Sequence, residues 1–178
     1  MKVFWEKGYE GSSLPALTEA MGMNRPSLYA VFGNKESLFK LAVERYGALR
    51  DPLLDAALEA PTARGVVEHL LRSNAAALTE EAHPHGCLVI NGALACGDEA
   101  LPVRQSLIAR MAAAELRLCA RFERAIADGD LPPGAGADQM ARYVTAMSNG
   151  MAVQAAAGTT RKQLQEVVDQ VLRGWPAA

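Results

Sequence analysis

Arg25 is the residue of this chain best equipped for specific recognition. Its planar guanidinium can pair bidentately with the O6 and N7 atoms of a guanine. Asn24, Pro26, Ser27 and Tyr29 surround it, and Lys35 follows one element later. Asn24 can bond a base edge or cap a helix. Ser27 and Tyr29 carry hydroxyls that can donate to phosphate oxygens. Lys35 opens a helix, where free N–H groups and the dipole already favour a phosphate. Ser12 and Ser13 hold a similar place one helix earlier. This is chemistry for holding nucleic acid, not for reacting with it. The sequence has no Ser/His/Asp order with supporting motifs, no glycine-rich phosphate loop and no HExxH. An enzyme is not expected, and the set of catalytic residues is empty.

Such side chains need rigid elements behind them, and Leu14 to Phe39 has the punctuation of helix, turn, helix, turn, helix. Ser12 or Ser13 can cap the first helix by accepting a bond from a free backbone N–H. Gly22 stands where a helix C-terminus commonly turns left-handed. Asn24 can cap the second helix, with Pro26 in the first turn, where its missing donor costs nothing. Gly33-Asn34 breaks the chain again before Lys35. The layout is that of a helix-turn-helix DNA reader, whose second helix lies in the major groove with its N-terminal residues against base edges. Leu14, Leu17, Met21, Leu28, Phe32, Leu38 and Phe39 are expected to form its core. Ala30-Val31 late in the reading helix allows only apolar base contacts, to thymine methyl groups.

The same residues resemble the DNA-binding domain of the TetR family of bacterial one-component repressors. The pattern stands here as Gly8-Tyr9, Ser12-Ser13, Leu14, Leu17, Gly22-Met23, Ser27-Leu28-Tyr29, Phe32, Asn34-Lys35-Glu36 and Leu38-Phe39. The resemblance implies an all-α homodimer. It implies a helix-turn-helix domain of three helices over residues 1–50 and a helical ligand-binding and dimerisation domain over 51–178. The partners it implies are a palindromic double-stranded DNA operator, a second copy of the chain and a small-molecule effector that releases the DNA. Against this pattern, MKVFWEK looks like the last two turns of a longer first helix, with Val3 and Phe4 facing the core. A truncated first helix buries less apolar surface. The alternative expectation is therefore a helical small-molecule or protein binder with impaired DNA binding.

Composition agrees with a helical protein. The chain has 178 residues, 50% of them hydrophobic and 6% aromatic. The net charge of −2 divides unevenly. Residues 1–50 carry seven Lys/Arg against five Glu, and the remainder eleven against fifteen acidic residues. A small basic reader on an acidic body suits local phosphate contacts. No apolar run reaches the roughly 18 residues a membrane span needs, and no secretory leader opens the chain. Three separated cysteines make no disulfide framework. No membrane association and a cytoplasmic location are expected. Neither a cofactor nor a metal is expected: His83 and His85 flank a proline in a loop, without further ligands at suitable spacing.

Beyond the reader, the third helix is expected to run from Lys35 to about Leu49, with Asp51-Pro52 bending or ending it and a helical piece over 53–59. Apolar periodicity predicts helices over about 62–80, 99–127, 137–157 and 160–175. Residues 87–96, CLVINGALAC, could be a buried strand or a buried helix by periodicity; the helical context selects helix. Asn91 there must find a partner or a ligand. Asp98 can cap the long helix, whose expected apolar face is Val103, Leu107, Ile108, Met111, Leu118, Phe122 and Ile126. Amphipathic phase points to an effector pocket lined by Leu71, Leu88, Asn91, Met111, Leu118, Phe122, Tyr143 and Met147. The resemblance assigns dimerisation to the last two helices. Met151, Ala155, Gly158, Val168, Val171, Leu172 and Trp175 are the expected contacts, small residues and methionine permitting close approach. Gly86-Cys87-Leu88 further resembles a TetR subgroup with an electrophile- or oxidant-sensitive cysteine at this helix start. A thiolate at Cys87 would be favoured by the helix dipole.

Overall fold

The computed structural model describes residues 1–94 and 100–176. Every regular element among them is a helix: α1 Lys2–Gly11, α2 Leu14–Met21, α3 Arg25–Phe32, α4 Lys35–Leu58, α5 Ala63–Leu78, α6 Leu88–Leu94, α7 Leu101–Ala127, α8 Ala137–Ala156 and α9 Arg161–Arg173. None is long and apolar enough to cross a membrane. Asp98 and Cys96, expected at the start of α7 and the end of α6, lie outside the described residues.

The chain divides into two compact units. The first comprises Met1–Arg50 together with Cys87–Ala109, so residues 87–109, expected with the body, pack with the first fifty. Its core holds an aromatic cluster among aliphatic side chains. Phe4 meets Phe39 edge-on at 5.0 Å, Tyr9 meets Phe39 at 5.2 Å, and Trp5 meets Tyr46 at 4.8 Å. Such pairs add about 0.5–1.5 kcal/mol each beyond the area they bury. Trp5 and Phe4 are almost wholly buried, so α1 is anchored by its aromatic residues; Val3, expected beside Phe4, is only half-buried. Gly8 breaks α1 at φ 67, ψ −177 and lets Tyr9 turn onto Phe39. The residue that settles α6 against α4 and α7 is Gly92. A Cβ there would stand 2.8 Å from Leu107 Cδ1 and 3.4 Å from Phe39 Cζ.

The second unit, Asp51–Gly86 with Arg110–Ala178, is organised on α5. Seven of its residues, from Ala63 to Leu78, are buried. They pack against α8 and α9. Arg72 ties the helices by bonding Glu68 on α5 and Gln165 and Asp169 on α9, each at 2.9 Å. Asp130 accepts the Ala63 N–H at 2.5 Å and closes the start of α5. Arg121, 7% exposed, donates from Nε to Leu58 O at 3.1 Å and from Nη2 to Ala60 O at 2.7 Å. Its charge thus meets the open carbonyls at the C-terminus of α4, where a cation is favoured.

Pro52 does not end the third reader helix; α4 continues through it to Leu58. Proline forfeits the bond to the carbonyl four residues back and its ring crowds that carbonyl; Pro52 is exposed. Beyond it Ala57 and Leu58 are buried, and Asp51 and Asp55 pair with Arg110 and Arg117 of α7. These contacts outweigh the local preference to stop. Two further expectations fail through exposure. Met21 is 39% exposed, because Gly22 turns the chain one residue later, and Ile108 is 48% exposed, on the solvent side of α7.

Candidate nucleic-acid interface and effector region

The reading helix α3 is fixed at both ends by local chemistry. Asn24 Oδ1 accepts the Ser27 N–H at 2.8 Å, which makes Asn24 the N-cap. Gly22 ends α2 at φ 63, ψ 31, and Ser13 caps its start by accepting the Ala16 N–H at 3.3 Å. Leu28 is fully buried and holds α3 on the unit, while Arg25, Pro26 and Tyr29 are exposed and Ser27 is half-buried. The expected base reader therefore stands in the open on the first turn of a rigid helix. Tyr29, 45% exposed, stands on the surface rather than in the core.

Ser12 is corrected. It is fully buried, and its hydroxyl faces Gly8 O at 2.6 Å and Val3 O at 3.2 Å. It closes the end of α1 and is turned away from any phosphate. Ser13 is exposed, at the cap. Lys35 is half-buried at the first position of α4, whose N–H at Ser37 is capped by Asn34 at 2.8 Å. Its ammonium stands 4.7 Å over the Tyr9 ring and donates to Glu10 O at 3.4 Å. Burial holds its pKa below the ordinary lysine value, with Glu10 working against the shift. Lys35 is thus aimed by α1, a role sequence reasoning missed because the partners lie 25 residues away.

The expected pocket residues are split. Leu88 and Asn91 belong to the first unit, where Asn91 Nδ2 donates to Trp5 O at 3.5 Å. Leu71, Met111, Leu118, Phe122, Tyr143 and Met147 belong to the second. Leu71, Leu118 and Phe122 are buried, and Met111 and Met147 half-buried. Phe122 packs on Trp175 at 5.7 Å. Tyr143 is corrected: at 46% exposed it stands on the surface of α8. A groove between α7 and α8 is lined instead by Ala112, Glu115, Leu116, Cys119, Asp138, Ala141 and Arg142.

The expected dimer contacts are corrected as a group. Met151, Ala155, Val168, Val171, Leu172 and Trp175 are all buried within one chain. They face inward because α5 already covers that side of α8 and α9. Of the seven only Gly158, past the end of α8, is exposed. The opposite side of α8 shows Gln139, Tyr143, Ala146, Gly150, Val153 and Ala157 to solvent. Their alternating spacing of four and three residues draws one continuous stripe.

Cys87 is half-buried just before α6, and its carbonyl accepts the Asn91 N–H at 3.0 Å. Its thiol touches the hydroxyl of Tyr46. Burial pushes the Tyr46 phenol far up, the Cys87 thiol adds to this, and Arg50, 5.4 Å over the ring, opposes it. Cys119 is also raised, first by burial and then by Glu123. Among the described residues no group of His, Cys, Asp and Glu is arranged to hold a metal.

Known proteins carry the same organisation. Residues 1–42 match the model for bacterial regulatory proteins of the tetR family, and residues 61–171 match a tetracyclin repressor-like C-terminal domain. Over 178 residues the chain is 30% identical to the HTH-type transcriptional repressor ComR of Escherichia coli, covering 99% of this chain and 85% of that protein. A cysteine mutant of the TetR family transcriptional regulator CifR, solved with 26bp double-strand operator DNA and apo-CifR, is 41% identical. It superposes with a TM-score of 0.93 over 98% of this chain and 92% of that one. A putative TetR transcriptional regulator from Rhodococcus sp. RHA1 is 35% identical, with a TM-score of 0.66 over 100% and 96%.

Proposed function

The chain belongs to the tetR family of bacterial regulatory proteins, and from that premise we propose that it is a ligand-responsive transcriptional repressor acting on a palindromic operator in the cytoplasm, with no enzymatic step. The observation that carries this is the exposed first turn of α3, with Arg25 and Tyr29 presented on a helix whose cap and buried Leu28 fix its direction. The DNA complex of the similar CifR supports it. Reading of DNA is assigned to residues 1–50, and effector binding and dimerisation to 51–178. A two-fold operator requires a two-fold protein. The exposed stripe of α8 from Gln139 to Ala157 is proposed to meet its copy in a second chain. The effector is proposed to be an apolar small molecule held near Leu71, Met111, Leu118, Phe122 and Met147. Gel shifts with DNA from upstream of the gene test the reading. One fragment should be retained under excess unrelated DNA. Retention of none would favour a helical binder that does not read DNA.

A second reading has its own observation. Cys87 lies against Tyr46, a residue of α4, the helix that begins with Lys35. Alkylation of Cys87 would crowd Tyr46 and so disturb α4, which makes a thiol-responsive repressor the alternative. A Cys87→Ser protein that still leaves its DNA on alkylation would remove this reading.

A further inference from the structure

The outward face of α3 has an unusual chemistry for a helix that reads DNA. At 3.6 residues per turn, Pro26 and Ala30 each lie about 160° around the axis from the buried Leu28. Both are exposed. They therefore form the centre of the face turned from the protein, and neither side chain can donate or accept a hydrogen bond. The polar groups stand to the sides: Arg25 and Tyr29 on one flank, Ser27 on the other. Val31, on the same flank as Ser27, is 65% exposed. The strip they make is open to whatever lies against α3.

We propose that Pro26 and Ala30 form an apolar strip that reads thymine C5-methyl groups in the major groove, beside a guanine read by Arg25. This rests on the reading of α3 as the recognition helix. The physical ground is the groove's own code. Thymine alone among the four bases offers a methyl group there, and alanine and other small apolar side chains are its natural contacts. An apolar strip satisfies the polar edge of no base pair, thymine O4 and adenine N6 and N7 included, so it discriminates through the methyl alone. Thymine is therefore favoured at the positions under Pro26 and Ala30 by the methyl contact. The operator half-site should pair one guanine with adjacent thymines.

Uracil isolates the effect, because it pairs as thymine does and lacks only the methyl. Selection from random duplexes gives the preferred site, and binding is then measured on that duplex with deoxyuridine replacing thymidine at one position at a time. Each contacted methyl should contribute about fourfold in affinity, the worth of one buried CH₂ group. Ala30→Ser, at an exposed position, should leave the fold intact and bring the thymine-to-uracil ratio towards one at its own position. A selected site without thymines, or equal binding of uracil and thymine duplexes at every position, overturns the inference while leaving DNA reading by α3 in place. Failure to enrich any sequence overturns the repressor reading itself, and this inference with it.

Discussion

Replacing Lys35 with alanine separates a phosphate contact from a structural cation. A contact to phosphate contributes to the salt dependence of binding with a slope of about 0.9 per phosphate on B-DNA. The proposed dimer carries Lys35 twice, so Lys35→Ala should reduce the slope of log K against log salt by about 1.8. Raising salt fourfold, from 50 to 200 mM, would then narrow the gap between the native protein and the variant roughly twelvefold. The cost inside the protein is small by comparison: a half-buried cation–π interaction with Tyr9 is worth about 1–2 kcal/mol and the bond to Glu10 O is long at 3.4 Å. The variant should remain folded, as circular dichroism would report. Fluorescence anisotropy over a salt series gives the slopes. Arg25→Ala is the companion. It should keep the salt slope and lose the preference for guanine, since a bidentate base contact discriminates by about 1–3 kcal/mol. Parallel salt lines for Lys35→Ala and the native protein would show that Lys35 serves only to hold Tyr9 and α1, and the phosphate role would be abandoned.

Three further outcomes follow from the geometry. Val153→Glu should give a monomer in light scattering, because it places two charges in the proposed contact; Met151→Ala, on the covered side of α8, should keep the dimer and cost about 2–5 kcal/mol of stability. The reverse pattern would mean that the two faces have been misassigned. Gly86→Ala should lower the melting temperature, since a Cβ at φ +86 would stand 2.9 Å from Ala156 Cβ and 3.1 Å from Ala152 O. A loss of about 2 kcal/mol corresponds to about 4–8 °C in a chain of this size, and an unchanged melting temperature would show that the loop gives way. Cys87 should react with a small alkylating agent faster than Cys119, whose thiol is held up by burial and by Glu123; mass spectrometry of partly modified protein ranks them, and equal rates would remove any special reactivity from Cys87.

What is legible in the sequence is what local chemistry decides. Ser13 and Asn24 cap their helices, Gly22 turns left-handed, and Arg25 comes out exposed, because each of these follows from a residue and its neighbours within one turn. The choice of helix for residues 88–94 comes from context, not from their own periodicity. What is not legible depends on distant partners. Ser12 and Ser13 are indistinguishable as a pair of hydroxyls until Gly8 bends α1 and offers its carbonyl to one of them. Arg121 reads as one more arginine on a polar face until the end of α4 is placed beside it. Trp5 is the most buried aromatic of the first unit, yet a tryptophan near the start of a chain has no periodic pattern to locate it.

The misplacement of the dimer contacts has the same root and sharpens the prediction for Val153. Helix α8 carries apolar or small residues on two sides, so its composition allows two seams. One runs through Ala141, Val144, Met151 and Ala155, all buried; the other through Tyr143, Ala146, Gly150 and Val153, all exposed. Both have the residue sizes for close packing, and periodicity cannot rank them. The order is set by α5, whose seven buried residues supply the larger apolar surface and sit in the same chain, where no association entropy opposes contact. The first seam is therefore satisfied on folding. Of these two seams the second is left uncovered within the chain, and Gly150, with nothing within 4 Å of where its Cβ would be, leaves room at its centre for the proposed approach of a second helix. Filling that room should test the seam from the other direction. Gly150→Leu would add side chains on the proposed two-fold contact, and sedimentation should show the dimer weakened while the melting of the isolated chain is not lowered. A Gly150→Leu dimer as tight as the native one would place the partner on a different surface.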